Sequence, residues 1–197
     1  MRGLLASVGL IFTATIAAAG NPLLDAVATG DTAAVERALA AGADVDTRTR
    51  DGATPLINAA LADRPVIAEL LIAKGAGVMA RNSGGFTPLH AAAYSGSLPI
   101  AKLLLDHGAT LDDVANKAGA TPLMVAGEEN HLALAEFLLA KGADVGHAEV
   151  HGYMPITRAF LKGNTEIVRL FKRHGATCPP SSLLGDKDHA KCMKIHD

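Results

Sequence analysis

One periodicity constrains this chain more than any other feature. Gly-Ala pairs begin at Gly42, Gly75, Gly108, Gly142 and Gly175, with spacings of 33, 33, 34 and 33 residues. Prolines at Pro22, Pro55, Pro88, Pro122 and Pro155 keep the same four spacings, and Leu23, Leu56, Leu89, Leu123 and Ile156 follow them directly. A fixed period of this length marks one supersecondary unit copied along the chain. No copy buries its own apolar face alone, so the copies must stack.

Each copy carries its own punctuation. Thr54, Thr87 and Thr121 stand before a proline, which suits an N-cap followed by a first helical position whose missing N–H costs nothing. Each first helix is predicted to end at Gly30, Asp63, Gly96, Asn130 or Gly163, residue types that tolerate φ > 0. In each second helix the apolar positions fall at i, i+3, i+4 and i+5, namely Ile67, Leu70, Leu71 and Ile72; Ile100, Leu103, Leu104 and Leu105; Leu134, Phe137, Leu138 and Leu139. That stripe is expected to pack against both neighbouring repeats. The Gly of each Gly-Ala pair closes the helix, and the stretch to the next proline forms an extended finger.

With those residues in view, Thr87-Pro88-Leu89-His90-Ala91-Ala92 resembles the signature of the ankyrin repeat family, and Thr54-Pro55-Leu56 and Thr121-Pro122-Leu123 are looser copies. The resemblance implies an all-α solenoid of about five helix-turn-helix repeats with short finger loops. The repeats run over about 21–50, 51–83, 84–116, 117–149 and 150–178, forming one domain over 20–178 followed by a tail over 179–197. It also makes His90 a structural hydrogen-bonding residue. Arg37 and Lys172 stand where inner repeats carry apolar residues, and are read as outward faces that end the stack. Met154 in place of Thr, and Ile57, Met124 and Thr157 in place of His90, predict less regular packing toward the C-terminal end.

The N-terminus reads differently. Met1 and Arg2, an apolar run from Leu4 to Ile16, and Ala17-Ala18-Ala19 before Gly20 form the three parts of a secretory signal peptide over 1–19. The run is short of the roughly 20 residues that a membrane anchor needs. Export is therefore expected, to a periplasm or otherwise by secretion, with no membrane insertion after cleavage. The 18 Lys and Arg against 20 Asp and Glu give a formal charge of −2. No basic block offers a nucleic-acid footprint, and a monomer is expected.

Catalytic chemistry finds no motif. Ser95, Ser97 and the cysteines lack a paired base and orienting group, and there is no phosphate loop and no HExxH. No cofactor or metal is expected. Cys178 falls in the slot of Val45, Val78, Leu111 and Val145, and Cys192 lies on the tail. In an exported chain the pair reads most simply as a disulfide that folds the tail, with Leu183 and Leu184, over the last repeat. A competing set joins both cysteines with His189 and His196 around zinc, and Asp144, His147 and His151 form a weaker loop set.

By resemblance, a partner protein binds finger tips and the exposed side of the first helices. The candidate contacts are Arg48, Arg50, Asp51, Arg81, Phe86, Tyr94, Lys117, Glu128, Glu129, His151, Tyr153 and Lys162. Phe86, Tyr94 and Tyr153 are the expected aromatic anchors, and the arginines are expected to favour an acidic partner. The function implied is a non-catalytic envelope scaffold that stabilises, protects or neutralises one protein, as an immunity-type inhibitor or an accessory to a periplasmic enzyme does. A metal-handling protein built on the histidines and tail cysteines is the alternative. Cleavage after Ala19 leaves 178 of the 197 residues. Intact-mass measurement of protein recovered from the cell envelope checks this, and a retained Met1 in cytosolic protein contradicts it.

Overall fold

The structure, a computed structural model, describes residues 20–195. The expected signal peptide over 1–19 lies outside them, as does His196. Among the described residues there are twelve helices and no strand. Five pairs follow the period: α1 Pro22–Thr29 with α2 Thr32–Ala40, α3 Pro55–Leu61 with α4 Pro65–Ala73, α5 Pro88–Ser95 with α6 Leu98–Asp106, α7 Pro122–Glu128 with α8 Leu132–Ala140, and α9 Pro155–Lys162 with α10 Thr165–Arg173. Two tail helices follow, α11 Ser181–Leu184 and α12 Asp186–Met193. No described helix is long and apolar enough to cross a membrane.

The turn inside every pair is left-handed, as its residues predict. Gly30, Asp63, Gly96, Asn130 and Gly163 have φ of 79°, 49°, 75°, 63° and 81°. Asp and Asn are the non-glycine residues that tolerate this region best, so the backbone reverses at all five places without a forced side chain. Thr54 and Thr121 cap α3 and α7 through their hydroxyls, which accept from Ile57 N at 3.4 Å and Met124 N at 3.2 Å. Asn21 takes that place in the first pair and accepts from Leu23 N and Leu24 N.

The described residues form two compact units divided after Ala109, in the long finger that carries the extra residue. In the first unit, α1, α3 and α5 pack side by side, as do α2, α4 and α6. Ala59, Ala60, Ala91, Ala92 and Ala93 are fully buried, so first helices approach closely. Of the second-helix stripe, Ile67, Leu71, Ile100 and Leu104 are buried while Leu70, Ile72, Leu103 and Leu105 are half-buried. The i and i+4 positions thus form the core, and the other two lie at its edge.

The second unit packs α7 on α9 and α8 on α10. Phe171 fills the slot that Leu71, Leu104 and Leu138 occupy elsewhere, and the larger ring fits because α7 carries Gly127 where α3 and α5 carry Ala60 and Ala93. A Cβ built on Gly127 meets Phe171 Cε2 and Cζ at 2.8 Å. The fifth pair is more regular than its sequence predicts. Thr157 Oγ1 accepts from Met154 N at 3.2 Å, much as His90 Nδ1 accepts from Thr87 N at 3.3 Å. The polar link survives because the hydroxyl has moved from the cap residue to the third helical position.

Cys178 and Cys192 form a disulfide. It holds the tail to the end of the last repeat, and Leu183 and Leu184 are half-buried there. Lys172 does not face solvent as an end cap is expected to. Its ammonium donates to Cys192 O and Ile195 O, both at 2.8 Å, and so binds the carbonyl end of α12, where a cation is favoured by the unpaired carbonyls and the helix dipole.

Gly127→Ala should destabilise the protein in urea melts by about 1–2 kcal/mol, because overpacking a closed core outweighs the gain in helix propensity. In a Phe171→Leu background the same change should be neutral or stabilising. Equal costs in both backgrounds would show that the ring and the glycine are not fitted to each other.

Candidate functional site

The fingers are built on one residue column. Thr49, Asn82, Asn116 and Glu149 each stand six residues before a proline, and each accepts from the backbone N–H four residues on. The bonds are Ala53 N to Thr49 Oγ1 at 3.0 Å, Phe86 N to Asn82 Oδ1 at 3.0 Å, Ala120 N to Asn116 Oδ1 at 3.0 Å, and Tyr153 N to Glu149 Oε1 at 3.3 Å. Three of the four are neutral. Glu149 brings a charge to the same place, and its residue is only 4% exposed.

That charge is answered by Arg158, in α9. Its column reads Asp25, Asn58, Ala91 and Val125 in the preceding repeats, so a guanidinium stands where the other four repeats carry no cation. Arg158 Nη1 lies 2.7 Å from Glu128 Oε2 and Nη2 lies 3.6 Å from Glu149 Oε2. Lys162 Nζ lies 3.4 Å from Glu128 Oε1, and His151 Nδ1 donates to Glu149 Oε2 at 3.0 Å. Arg158, Glu128 and Glu149 are buried, whereas the His151 side chain is 69% exposed and Lys162 reaches the surface. Arg158 Nε is buried with no hydrogen-bond partner among the described residues. Asn164 Nδ2 donates to Gly127 O and Glu128 O, which fixes the end of α7 beside the pair.

Glu129 completes the rim. Burial pushes its carboxyl above the usual range, the Glu128 carboxylate pushes the same way, and Lys162 and His131 pull it back less. Tyr153, half-buried, lies beside His151 with ring centroids 6.4 Å apart. The second unit therefore brings together Glu128, Glu129, His151, Tyr153 and Lys162 from the sequence-derived set, and adds Glu149 and Arg158, which sequence reasoning missed. The signal existed in the columns: one charge among neutral finger residues, and one guanidinium among Asp, Asn, Ala and Val. Lys117 is exposed on the fourth repeat's finger.

Phe86 and Glu128 need correction as exposed contacts. Phe86 is fully buried and meets the His90 ring edge-on at 5.3 Å, so it belongs to the core of its own repeat and offers no contact surface. Glu128 is a buried member of the ion network, not an exposed contact. Arg48 donates to Gly52 O at 2.9 Å and Arg81 O at 2.7 Å, and Arg81 donates to Gly85 O at 3.0 Å, so both guanidinium groups pin fingers of the first unit. Asp51 accepts from the Thr49 hydroxyl at the same turn. Arg50 is exposed there, and Tyr94 is half-buried on α5. The disulfide consumes both thiolates that the zinc set requires. His147 Nε2 is bonded to Gly119 O and Asp144 Oδ1 accepts from Gly146 N, so the loop set is engaged locally.

A family model described as ankyrin repeats (3 copies) matches residues 23–115 and 110–182. The chain belongs to the ankyrin repeat family. No curated protein matches it. Ankyrin repeats are protein–protein interaction scaffolds and are generally non-catalytic.

Arg158→Met removes the buried cation that the two carboxylates share, leaving Glu128 to Lys162 and Glu149 to His151 at the rim, and should cost about 3–5 kcal/mol in urea melts. The triple change Glu128→Leu, Glu149→Asn and Arg158→Val gives each position a residue its column already uses, and should recover most of that loss. A triple variant as unstable as Arg158→Met would show that the network itself holds the unit together.

Glu129 also makes a pH signature. Because its folded-state carboxyl is raised, the native state binds the proton more readily than the unfolded chain. This term is favourable below the ordinary value of 4.5 and is lost as pH rises through the higher folded value. Glu129→Gln should therefore flatten the fall in stability over that window, read as the difference between parent and variant melts. Parallel pH profiles would contradict the assignment.

Proposed function

We propose that the protein is an exported, non-catalytic scaffold that binds one partner protein and stabilises, protects or neutralises it, as an immunity-type inhibitor or an accessory to a periplasmic enzyme does. The buried Glu128–Arg158–Glu149 network carries this reading. Buried ion pairs are poor sources of stability, since apolar replacements of similar volume are often neutral or better. A repeat that places one where none of the same columns elsewhere pairs buried charges has a site to orient rather than a core to fill. Its rim of His151, Tyr153, Lys162 and Glu129 lies where finger and first helix meet. Ankyrin repeats bind protein partners through that region, and a ring flanked by fixed charges suits an interface anchor. Export is supported by the A-x-A leader and by a disulfide, a bond that persists in oxidising compartments.

The test uses the tagged mature chain as bait in an envelope fraction. The parent should capture a defined partner. The triple network variant should fold and lose at least about tenfold in affinity, and Tyr153→Ala should weaken capture comparably, the loss expected on removing an interfacial aromatic. Undiminished capture by both variants would place the interface elsewhere. No specific capture by the parent would remove the scaffold reading.

A further inference from the structure

Three ties hold the tail. The disulfide joins Cys178 to Cys192, the Lys172 ammonium grips Cys192 O and Ile195 O at the end of α12, and His189 Nδ1 donates to Pro179 O at 2.7 Å. The two sulfur-bearing residues differ in access. Cys192 has no exposed surface, whereas Cys178 is half-buried and follows the exposed Thr177.

We propose that the Cys178–Cys192 bond is a thiol-exchange latch, attacked at the Cys178 sulfur, whose reduction frees α11 and α12 and loosens the fifth repeat. Exchange requires a thiolate to approach one sulfur in line with the bond, so access and the quality of the leaving thiol decide which sulfur is struck. Access favours Cys178. Attack at Cys192 has to pass through a residue with no surface, while attack at Cys178 expels Cys192.

The chemistry balances with a dithiol protein of the thioredoxin kind as reductant. Its thiolate forms a bond to Cys178 Sγ as the Cys178–Cys192 bond breaks, and Cys192 leaves with the electron pair and takes a proton. The second thiol of the reductant then displaces Cys178, which leaves as a thiol. The reductant ends as a disulfide and the chain as two thiols.

What then holds the tail is the Lys172 and His189 hydrogen bonds and the half-buried Leu183 and Leu184. Lys172 sits on α10, in the column of Ile72, Leu105 and Leu139, so a departing tail leaves an ammonium at the edge of an apolar row. α9 packs on α10, and in a repeat stack a lost contact is felt first by the nearest neighbour. The Arg158 and Lys162 side chains lie on α9, one helix from the latch. The latch itself does not depend on which partner that site takes.

Two measurements on the full oxidised chain test this. A thioredoxin-type protein with its second cysteine replaced by serine should trap a mixed disulfide, and peptide mapping should place it on Cys178. An adduct mainly on Cys192, or none, overturns the attack. With dithiothreitol as reductant, amide hydrogen exchange should speed up by at least about tenfold across 186–195 and less across α9 and α10, leaving 20–109 unchanged. Unaltered protection in the tail, or equal change through the whole chain, overturns the latch. A Cys178→Ser, Cys192→Ser variant should exchange like the reduced parent; protection matching the oxidised parent would show that Lys172 and His189 hold the tail unaided.

Discussion

A pair of helices only seven to nine residues long cannot bury an apolar stripe by itself, and so each repeat exists only against its neighbour. Everything else in the fold serves that contact. The left-handed turn brings the second helix back along the first, and alanines on the first helices let adjacent pairs close up. Where the local fit changes, both sides change together. Phe171 in the last pair has Gly127 opposite it, a large ring against a missing methyl group, at a place where inner pairs of the first unit use Leu and Ala.

Because the contact repeats, every position belongs to a column, and a column makes departures visible. Lys172 and Arg37 both interrupt apolar columns at the ends of the repeat series. Arg37 stays in solvent with only a loose pair to Asp31 at 3.9 Å, whereas Lys172 is claimed by two carbonyls of the tail. A long flexible cation answers whatever acceptor lies within reach. Its role is set by the segment that docks against it, which is why similar polar interruptions acquire different work.

The same logic separates two kinds of charge on the fingers. Arg48 and Arg81 spend their guanidinium groups on backbone carbonyls of the fingers, an arrangement that fixes loops. Arg158 is buried between two carboxylates, and its Nε has no hydrogen-bond partner among the described residues. A fold seeking only stability gains little from that arrangement, given the cost of desolvating three charges. Orientation of His151, Tyr153 and Lys162 is what the network does secure.

The sequence by itself determined the repeat, its helix boundaries and its turns, because these are local: a proline, a cap and a residue that tolerates φ > 0 act within a few positions of themselves. Thr54, Asp63 and Asn130 needed no tertiary context to be read correctly. The cysteines were legible as a pair because only two exist, though the choice between disulfide and metal was left to the fold. Tertiary structure alone decided which side chains face inward from the fingers. Phe86 looked like an anchor beside Thr-Pro and is core, Glu128 looked like surface and is buried, and Glu149 and Arg158 passed unnoticed. Glu128 and Arg158 are 30 residues apart in sequence and 2.7 Å apart in space, and no local rule relates them, since their pairing follows from the stacking of α9 on α7.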